Sequence, residues 1–390
     1  MTRIRRSTIG IAVVLALMLG GERPGAQAQG APPIKVGFAS AMTGPSAITG
    51  EGVKWAAQIL ADEYNAKGGI MGRKIEIYLG DNAGTPGEAV SAVRKLADVD
   101  KVDVIIGQTH SGACLGALPV VKELQVPMVI EACSNPKIRE LIGKTVNEWA
   151  FRVNPDDVML ANQFAKYMSQ STKSVSIFAQ NDDFGRGAAA AYDVAFKKYG
   201  IKLVSTEFFD RGQADYRPVL TRVKRANPEA VLLVMLASEG SVFMRQFREI
   251  GLTQKLYARG SMATLEFLHQ VRDSPSIADG LVEATYWTPV LDPAWEKQWL
   301  DRFKVPVRVH GSLAAIAFRY AVAPAVEQAI KKTGRADRKS IRDALEELDV
   351  PNTPVGRIRF DDTHQAFINM LIVEIRGGQL KILETIAIQP

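Results

Sequence analysis

Residues 105–124, "IIGQTHSGACLGALPVVKEL", read as a buried strand that turns through small polar residues and leaves as a helix. The junction holds Thr109, His110, Ser111, Gly112 and Ala113, and nothing large covers the first turn of the helix. Unpaired amide hydrogens and a partial positive charge collect at a helix start, so small residues there let an anion come close to the backbone. Ser111 adds a hydroxyl, and Gly112 leaves its amide uncovered. The same composition also suits a serine that merely caps the helix. Both readings are open from this stretch alone.

Other combinations of reactive residues are weaker. "GRGAAA" at 185–190 matches the spacing of a dinucleotide fingerprint, but Asn181 to Phe184 separate it from the preceding strand, where a phosphate-binding turn has to follow at once. A helix start capped by Asp182 or Asp183 accounts for it. The four histidines, at 110, 269, 310 and 364, have no partner at helical spacing, so no metal pair is expected. No G-x-S-x-G elbow makes Ser111 a nucleophile, and no catalytic set is assigned.

These residues need a scaffold, and its pattern is regular. β-Branched runs at 34–40, 74–81, 102–107 and 126–132 alternate with helical periodicity at 50–66, 86–98 and 112–124. That rhythm means a parallel sheet covered on both faces. It resumes with runs at 174–180, 201–209, 230–236 and 254–259, separated by helical stretches at 185–199, 215–226 and 239–250. Between the two sets lies "EWAFRVNPDD", 148–157, an extended crossing that ends at a helix start. A second crossing is expected at 283–293, followed by helices at 294–303, 311–332 and 338–348 and strands at 355–362, 369–375 and 380–388. The last two are joined by an "RGGQ" hairpin. The expected class is α/β: two lobes around a cleft, each a parallel sheet flanked by helices.

The first residues stand apart. Arg3, Arg5 and Arg6 precede an apolar run from Ile9 to Leu19 and then "AQA" at 26–28, the pattern of a secretory leader cleaved near Ala28. No comparable run of about 20 apolar residues is apparent further on. The whole chain carries 48 basic and 42 acidic residues; without residues 1–28 the balance is 44 to 41. There is no basic cluster interleaved with aromatics, so no nucleic-acid partner is expected. The remaining length, about 360 residues, exceeds one comfortable core and favours two domains. Cys114 and Cys133 can be a single bridge worth roughly 3 kcal/mol or two buried thiols.

The segment Ile34 to Leu96 resembles periplasmic solute-binding proteins of the branched-chain amino acid ABC transporter family. The resemblance rests on "MTGP" with Gly50 beyond it, "NAKGGIMGRKIEI", "DNAGTPGEAV" and "SNP" at 134–136. It continues in "NDDFGRG" at 181–187 and "VGRIRFDD" at 355–362, over essentially the whole chain after the leader. It implies a type I periplasmic binding fold with an N-terminal lobe of residues 31–154 and 287–362 and a C-terminal lobe of 155–286 and 363–390. It also implies a monomer in the periplasm that closes by hinge motion on a small carboxylate and serves the permease subunits of an ABC importer, with no cofactor.

The family's carboxylate-holding positions fall here on Ser111, Ala132 and Ser134, with Thr109 and Gly112 beside them, Thr49 nearby, and Phe184 at the side-chain pocket. The acidic residue with which the family's amino-acid binders fix the ligand ammonium falls at about Gly260, and a tyrosine often used nearby falls at about Leu236. Glu239 is the closest acidic residue and reads as a helix-start carboxylate. An unpaired buried ammonium costs several kcal/mol, so the expected ligand is an organic or aromatic acid without an α-amino group, with Arg259 meeting a second polar group. A true branched-chain amino acid binder, a sensory receptor of the same fold and a secreted enzyme are the alternatives.

Overall fold

The computed structural model describes residues 31–389; the leader lies outside them. Five strands open the fold: β1 (Ile34–Ser40), β2 (Ile75–Asp81), β3 (Val104–Ile106), β4 (Met128–Ile130) and β5 (Ala150–Arg152) form one sheet in the order β2-β1-β3-β4-β5. All its pairings are parallel. Next come β6 (Ser174–Gln180), β7 (Lys202–Phe209), β8 (Ala230–Met235), β9 (Lys255–Gly260) and β10 (Val282–Thr285). A short hairpin, β11 (Asp349–Thr353) and β12 (Gly356–Arg359), precedes β13 (Met370–Arg376) and β14 (Gln379–Ile386). The second sheet runs β14-β13-β10-β9-β8-β6-β7, parallel from β10 to β7 and antiparallel at β13 and β14.

The helices that position the site are α1 (Ala47–Ala66), α2 (Pro86–Arg94), α3 (Ser111–Glu123), α4 (Lys137–Glu140), α5 (Asp157–Met168) and α6 (Asp183–Tyr199). Further on come α7 (Arg217–Ala226), α8 (Ala237–Glu249) and α9 (Leu265–Gln270). The last are α10 (Pro293–Phe303), α11 (Val309–Ala317), α12 (Ala323–Thr333) and α13 (Arg338–Glu346). Local chemistry explains several starts. Thr85 accepts from the Glu88 amide ahead of Pro86, Asp156 from Met159, and Asp182 from Gly185. By contrast neither His110 before α3 nor Leu236 before α8 caps its helix, and the first amide of α8 donates instead to Ser261 Oγ at 3.0 Å.

The central strands are apolar on both faces, as in β8, where every residue from Ala230 to Met235 is buried, while the edge strands β2, β7 and β14 are partly exposed. Residues 309–333 form one helical stretch, long and apolar enough by composition to cross a membrane, contrary to the expectation that no such run follows the leader. Its apolarity belongs to the core: it packs along α1 and is mostly buried. A π-helical turn at Phe318–Val322 interrupts it.

The chain passes between the sheets after β5, after β10 and after β12. The expected crossing at 283–293 begins later, because Val282–Thr285 is still a strand of the second sheet. The first and third crossings are tied together. Arg152, fully buried, donates from Nε to Gln365 at 2.5 Å and from Nη1 to the Asn135 carbonyl at 3.0 Å, and it pairs with Asp156 at 3.3 Å. The Gln365 amide in turn donates to the Asn154 carbonyl at 2.8 Å.

Candidate functional site

A cavity with about 470 Å³ of atom-free space, partly open to solvent, lies where the C-terminal ends of the strands of both sheets face each other. Crevices at strand C-termini are where open α/β sheets take ligands. From the first sheet come Thr109, His110 and Ser111 beyond β3 and Ala132 and Ser134 beyond β4. From the second come Gln180 at the end of β6, Phe184 in α6, Leu236 after β8, and Arg259 and Gly260 at the end of β9. Tyr286 at the second crossing, Val309, His310 and Leu313 of α11, and Arg211 close the remaining sides.

Of the positions singled out in the sequence, Thr109, Ser111, Ala132, Ser134, Phe184, Leu236, Arg259 and Gly260 line this cavity, and Gly112 and Thr49 do not. Gly112 serves a close approach: a β-carbon there would stand 2.7 Å from the Asp183 carboxylate, at the start of α6. Thr49 donates its hydroxyl to the Ser46 carbonyl at 2.8 Å and lines a neighbouring small pocket with Ser261 and Glu266.

Ser111 is the first helical residue of α3 and makes no capping bond. Its Oγ accepts from the Asn135 amide at 3.3 Å, which leaves its own proton free to donate. Among the described residues the amides of Ser111, Gly112 and Ala113 donate to no side chain, as expected for an uncapped first turn. His110 Nδ1 lies 3.0 Å from Thr109 Oγ1, while its Nε2 has no partner among the described residues. Burial, with the Arg211 guanidinium and His310 close by, holds the His110 imidazole well below its ordinary range, so the ring is neutral. His310 is likewise pushed down, to about 4, by burial.

Ser134 is engaged differently. Its hydroxyl donates to Asp157 Oδ2 at 2.9 Å, and Asp157 Oδ1 accepts from Arg259 Nε at 2.9 Å. Burial pushes the Asp157 carboxyl up, to about 6, against the pull of Arg259 and Ser134, so the pair is ionic at neutral pH. Burial alone would lower the Arg259 guanidinium; the Asp157 carboxylate more than restores it, and it stays charged. Arg259 is 3% exposed and therefore no solvated surface charge. Its guanidinium lies 5.5 Å from the Phe184 ring centroid and 6.0 Å from that of Tyr286, within cation–π range.

Gly260 has φ +153°, and a β-carbon there would fall 1.8 Å from the Met235 carbonyl oxygen. No side chain fits at this position. Among the residues lining the cavity none is acidic: Asp157 stands behind Arg259, and Glu239 sits in the first turn of α8, bonded to Ser238.

Gln180, Arg211, Tyr286, Val309 and Leu313 line the cavity and were not singled out in the sequence, and His110 and His310, weighed there without a ligand-binding role, line it too. Gln180 carried a usable signal, as a polar residue ending a buried strand. Arg211 carried none, since a loop residue takes its place only when the sheets face each other. Its Nη1 donates to Ser46 Oγ at 3.2 Å and its Nη2 to Asp182 at 2.6 Å, linking the two sides of the cleft. The bridge considered for Cys114 and Cys133 is not formed. Both are buried thiols, and Cys133 Sγ donates to the Gln108 carbonyl at 2.7 Å.

Comparison with known proteins places this arrangement. The chain is 26% identical over 336 residues, 85% of its length and 88% of the relative's, to the Leu/Ile/Val-binding protein BraC3 of Rhizobium johnstonii. The branched-chain amino acid transporter substrate-binding protein LivJ of Streptococcus pneumoniae, determined with isoleucine, superposes with TM-score 0.77 at 21% identity, covering 92% of this chain and all of that one. A solute-binding protein of an ABC transporter from Rhodopseudomonas palustris, in complex with 3,4-dihydroxybenzoic acid, superposes with TM-score 0.78 at 24% identity, covering 92% and 98%. The model of the periplasmic binding protein family matches residues 33–379. With two facing sheets of mainly parallel strands, a cleft at their C-terminal edges and a family match over nearly the whole described chain, the protein belongs to the periplasmic binding protein family and has its type I fold.

Proposed function

We propose that the protein is the substrate-binding component of an ABC importer, exported by its leader, and that it captures a small organic or aromatic acid lacking an α-amino group. Residues 31–154 with 287–362 form one lobe and 155–286 with 363–390 the other, and hinge closure at the three crossings encloses the ligand. The observation that carries the ligand class is the charge of the cavity wall: a buried guanidinium, hydroxyls and uncapped amides, and no carboxylate. An α-ammonium group would be buried there without a counter-charge, at a cost of several kcal/mol. A carboxylate meets Ser111 and the first turn of α3. Charge-assisted bonds of about 1.5–3 kcal/mol each, with burial against Phe184, Leu236 and Leu313, reach the roughly 8 kcal/mol of micromolar binding. That a protein of the same fold holds 3,4-dihydroxybenzoic acid supports the reading.

A second reading, a branched-chain amino acid binder, is favoured by the names of the relatives. Thermal melting against leucine, isoleucine, valine, their deaminated analogues and simple aromatic acids separates the two. A ligand at 100 times its dissociation constant stabilises the folded state by about 2.7 kcal/mol. A large upward shift with leucine and none with the deaminated or aromatic acids overturns the organic-acid proposal.

A further inference from the structure

Gln180 ends β6, paired with Phe209 of β7 and one residue beyond Ala179, which pairs with Val234 of β8, and it lines the cavity. It is 1% exposed, and among the described residues neither its amide nitrogen nor its amide oxygen has a hydrogen-bond partner. Buried polar side chains are overwhelmingly paired, and a doubly unpaired amide in a binding cavity calls for a reason. None of its cavity neighbours answers it. Gly260 has no side chain, Leu236 is apolar, and Arg259 is committed through Nε to Asp157. A primary amide offers a donor and an acceptor side by side, and a ligand hydroxyl, itself donor and acceptor, can answer both.

Resting on the organic-acid reading, we propose that Gln180 is a specificity-determining residue and that the preferred ligand is a hydroxylated aromatic acid. Its carboxylate lies on the Ser111 side and its hydroxyl on the Gln180 side. Phe184 and Tyr286 supply aromatic wall between the two poles. An acid without the hydroxyl buries the Gln180 amide unanswered, and sites built to hydrogen-bond a hydroxyl discriminate strongly against the analogue that lacks it.

The test uses titration calorimetry of the mature protein with benzoate and with 2-, 3- and 4-hydroxybenzoate, on the parent and on Gln180→Met, a substitution of similar length and volume without the amide. The expected result is that at least one hydroxybenzoate binds the parent about tenfold or more tightly than benzoate, a difference of ~1.4 kcal/mol. In Gln180→Met that preference shrinks to within about threefold, and thermal melting of the unliganded variant shows that it is folded. A preference that persists in Gln180→Met, or a parent that binds benzoate as well as every hydroxybenzoate, overturns the assignment and leaves the organic-acid reading standing. Binding of leucine with none of the four aromatic acids overturns both.

Discussion

Arg259 and Asp157 form a buried ion pair, Nε to Oδ1 at 2.9 Å, whose second carboxylate oxygen takes the only proton of the Ser134 hydroxyl. The three groups join the ends of β4 and β9 and the start of α5, so one wall of the cavity is electrostatically preset. Breaking such a pair leaves an uncompensated buried charge. Arg259→Met is expected to cost about 3–5 kcal/mol in urea unfolding. Combining it with Asp157→Asn recovers a large part of that loss, because the orphaned charge is gone. Equal instability of the single and double variants contradicts the account.

The two serines are not equivalent. Ser111 has a proton to give, and Ser134 has already given its proton to Asp157. Ser111→Ala is therefore expected to weaken carboxylate binding by about tenfold or more, in line with one charge-assisted hydrogen bond. Ser134→Ala weakens it less and chiefly through the position of Arg259. Calorimetry with whichever acid shifts the melting point most decides this; a larger loss at Ser134 than at Ser111 rules it out.

At Gly260 the backbone itself excludes a carboxylate. Gly260→Asp, which would put a carboxylate where the family resemblance expects an ammonium partner, meets the Met235 carbonyl at its first carbon. The expected outcome is a loss of several kcal/mol of stability, read by urea unfolding, and no gain of leucine affinity. A stable Gly260→Asp that binds leucine removes the main argument against an amino-acid ligand.

Buried carboxyls also set the pH response. Burial pushes Glu131 up to about 8, and among the described residues neither of its oxygens has a partner. Burial likewise raises Glu283 to about 7, even though backbone amides and Arg259 oppose it. Above the ordinary value of about 4.3 the unfolded chain has released these protons while the folded chain still holds them, so stability falls as pH rises until each folded value is passed. His310, held at about 4, works the other way only below about pH 6.5. Between about pH 6.5 and 8 the acids dominate, and Glu131 adds a slope of up to ~1.4 kcal/mol per pH unit. Glu131→Gln, neutral throughout, flattens that decline in urea unfolding; an unchanged slope refutes the assignment.

The Arg152 network fastens the first and third crossings, and Arg152 is fully buried with Asp156 as its ionic partner. Arg152→Met is expected to lose about 3–5 kcal/mol and to reduce ligand affinity as well, because the crossings set how the two sides meet. A ligand-binding isotherm identical to the parent's at full stability speaks against a hinge role.

The alternation of β-branched runs with helical periodicity was enough to place both parallel sheets, because strand burial and helix amphipathicity are written at spacings of a few residues. The strand-to-helix junction at Ser111 was legible for the same reason, but "THSGA" left open whether Ser111 caps the helix, and only the structure shows that it does not. That position 260 matters came from the family resemblance and not from local chemistry. What Arg259 does was not legible, since a guanidinium reads alike whether it meets solvent or Asp157, 102 residues away. Of Gly112 and Gly260, both expected at the ligand, only Gly260 lines the cavity, and their missing side chains make room for Asp183 and for the Met235 carbonyl respectively. Gln180, Arg211 and His310 entered the cavity only through the facing of two sheets. Sequence alone thus determined which segments become strands and helices and where a helix start is lined by small polar residues. Tertiary structure decided which charges are paired and which polar atoms are left to a ligand, because pairing depends on distances between residues that the order of the chain does not encode.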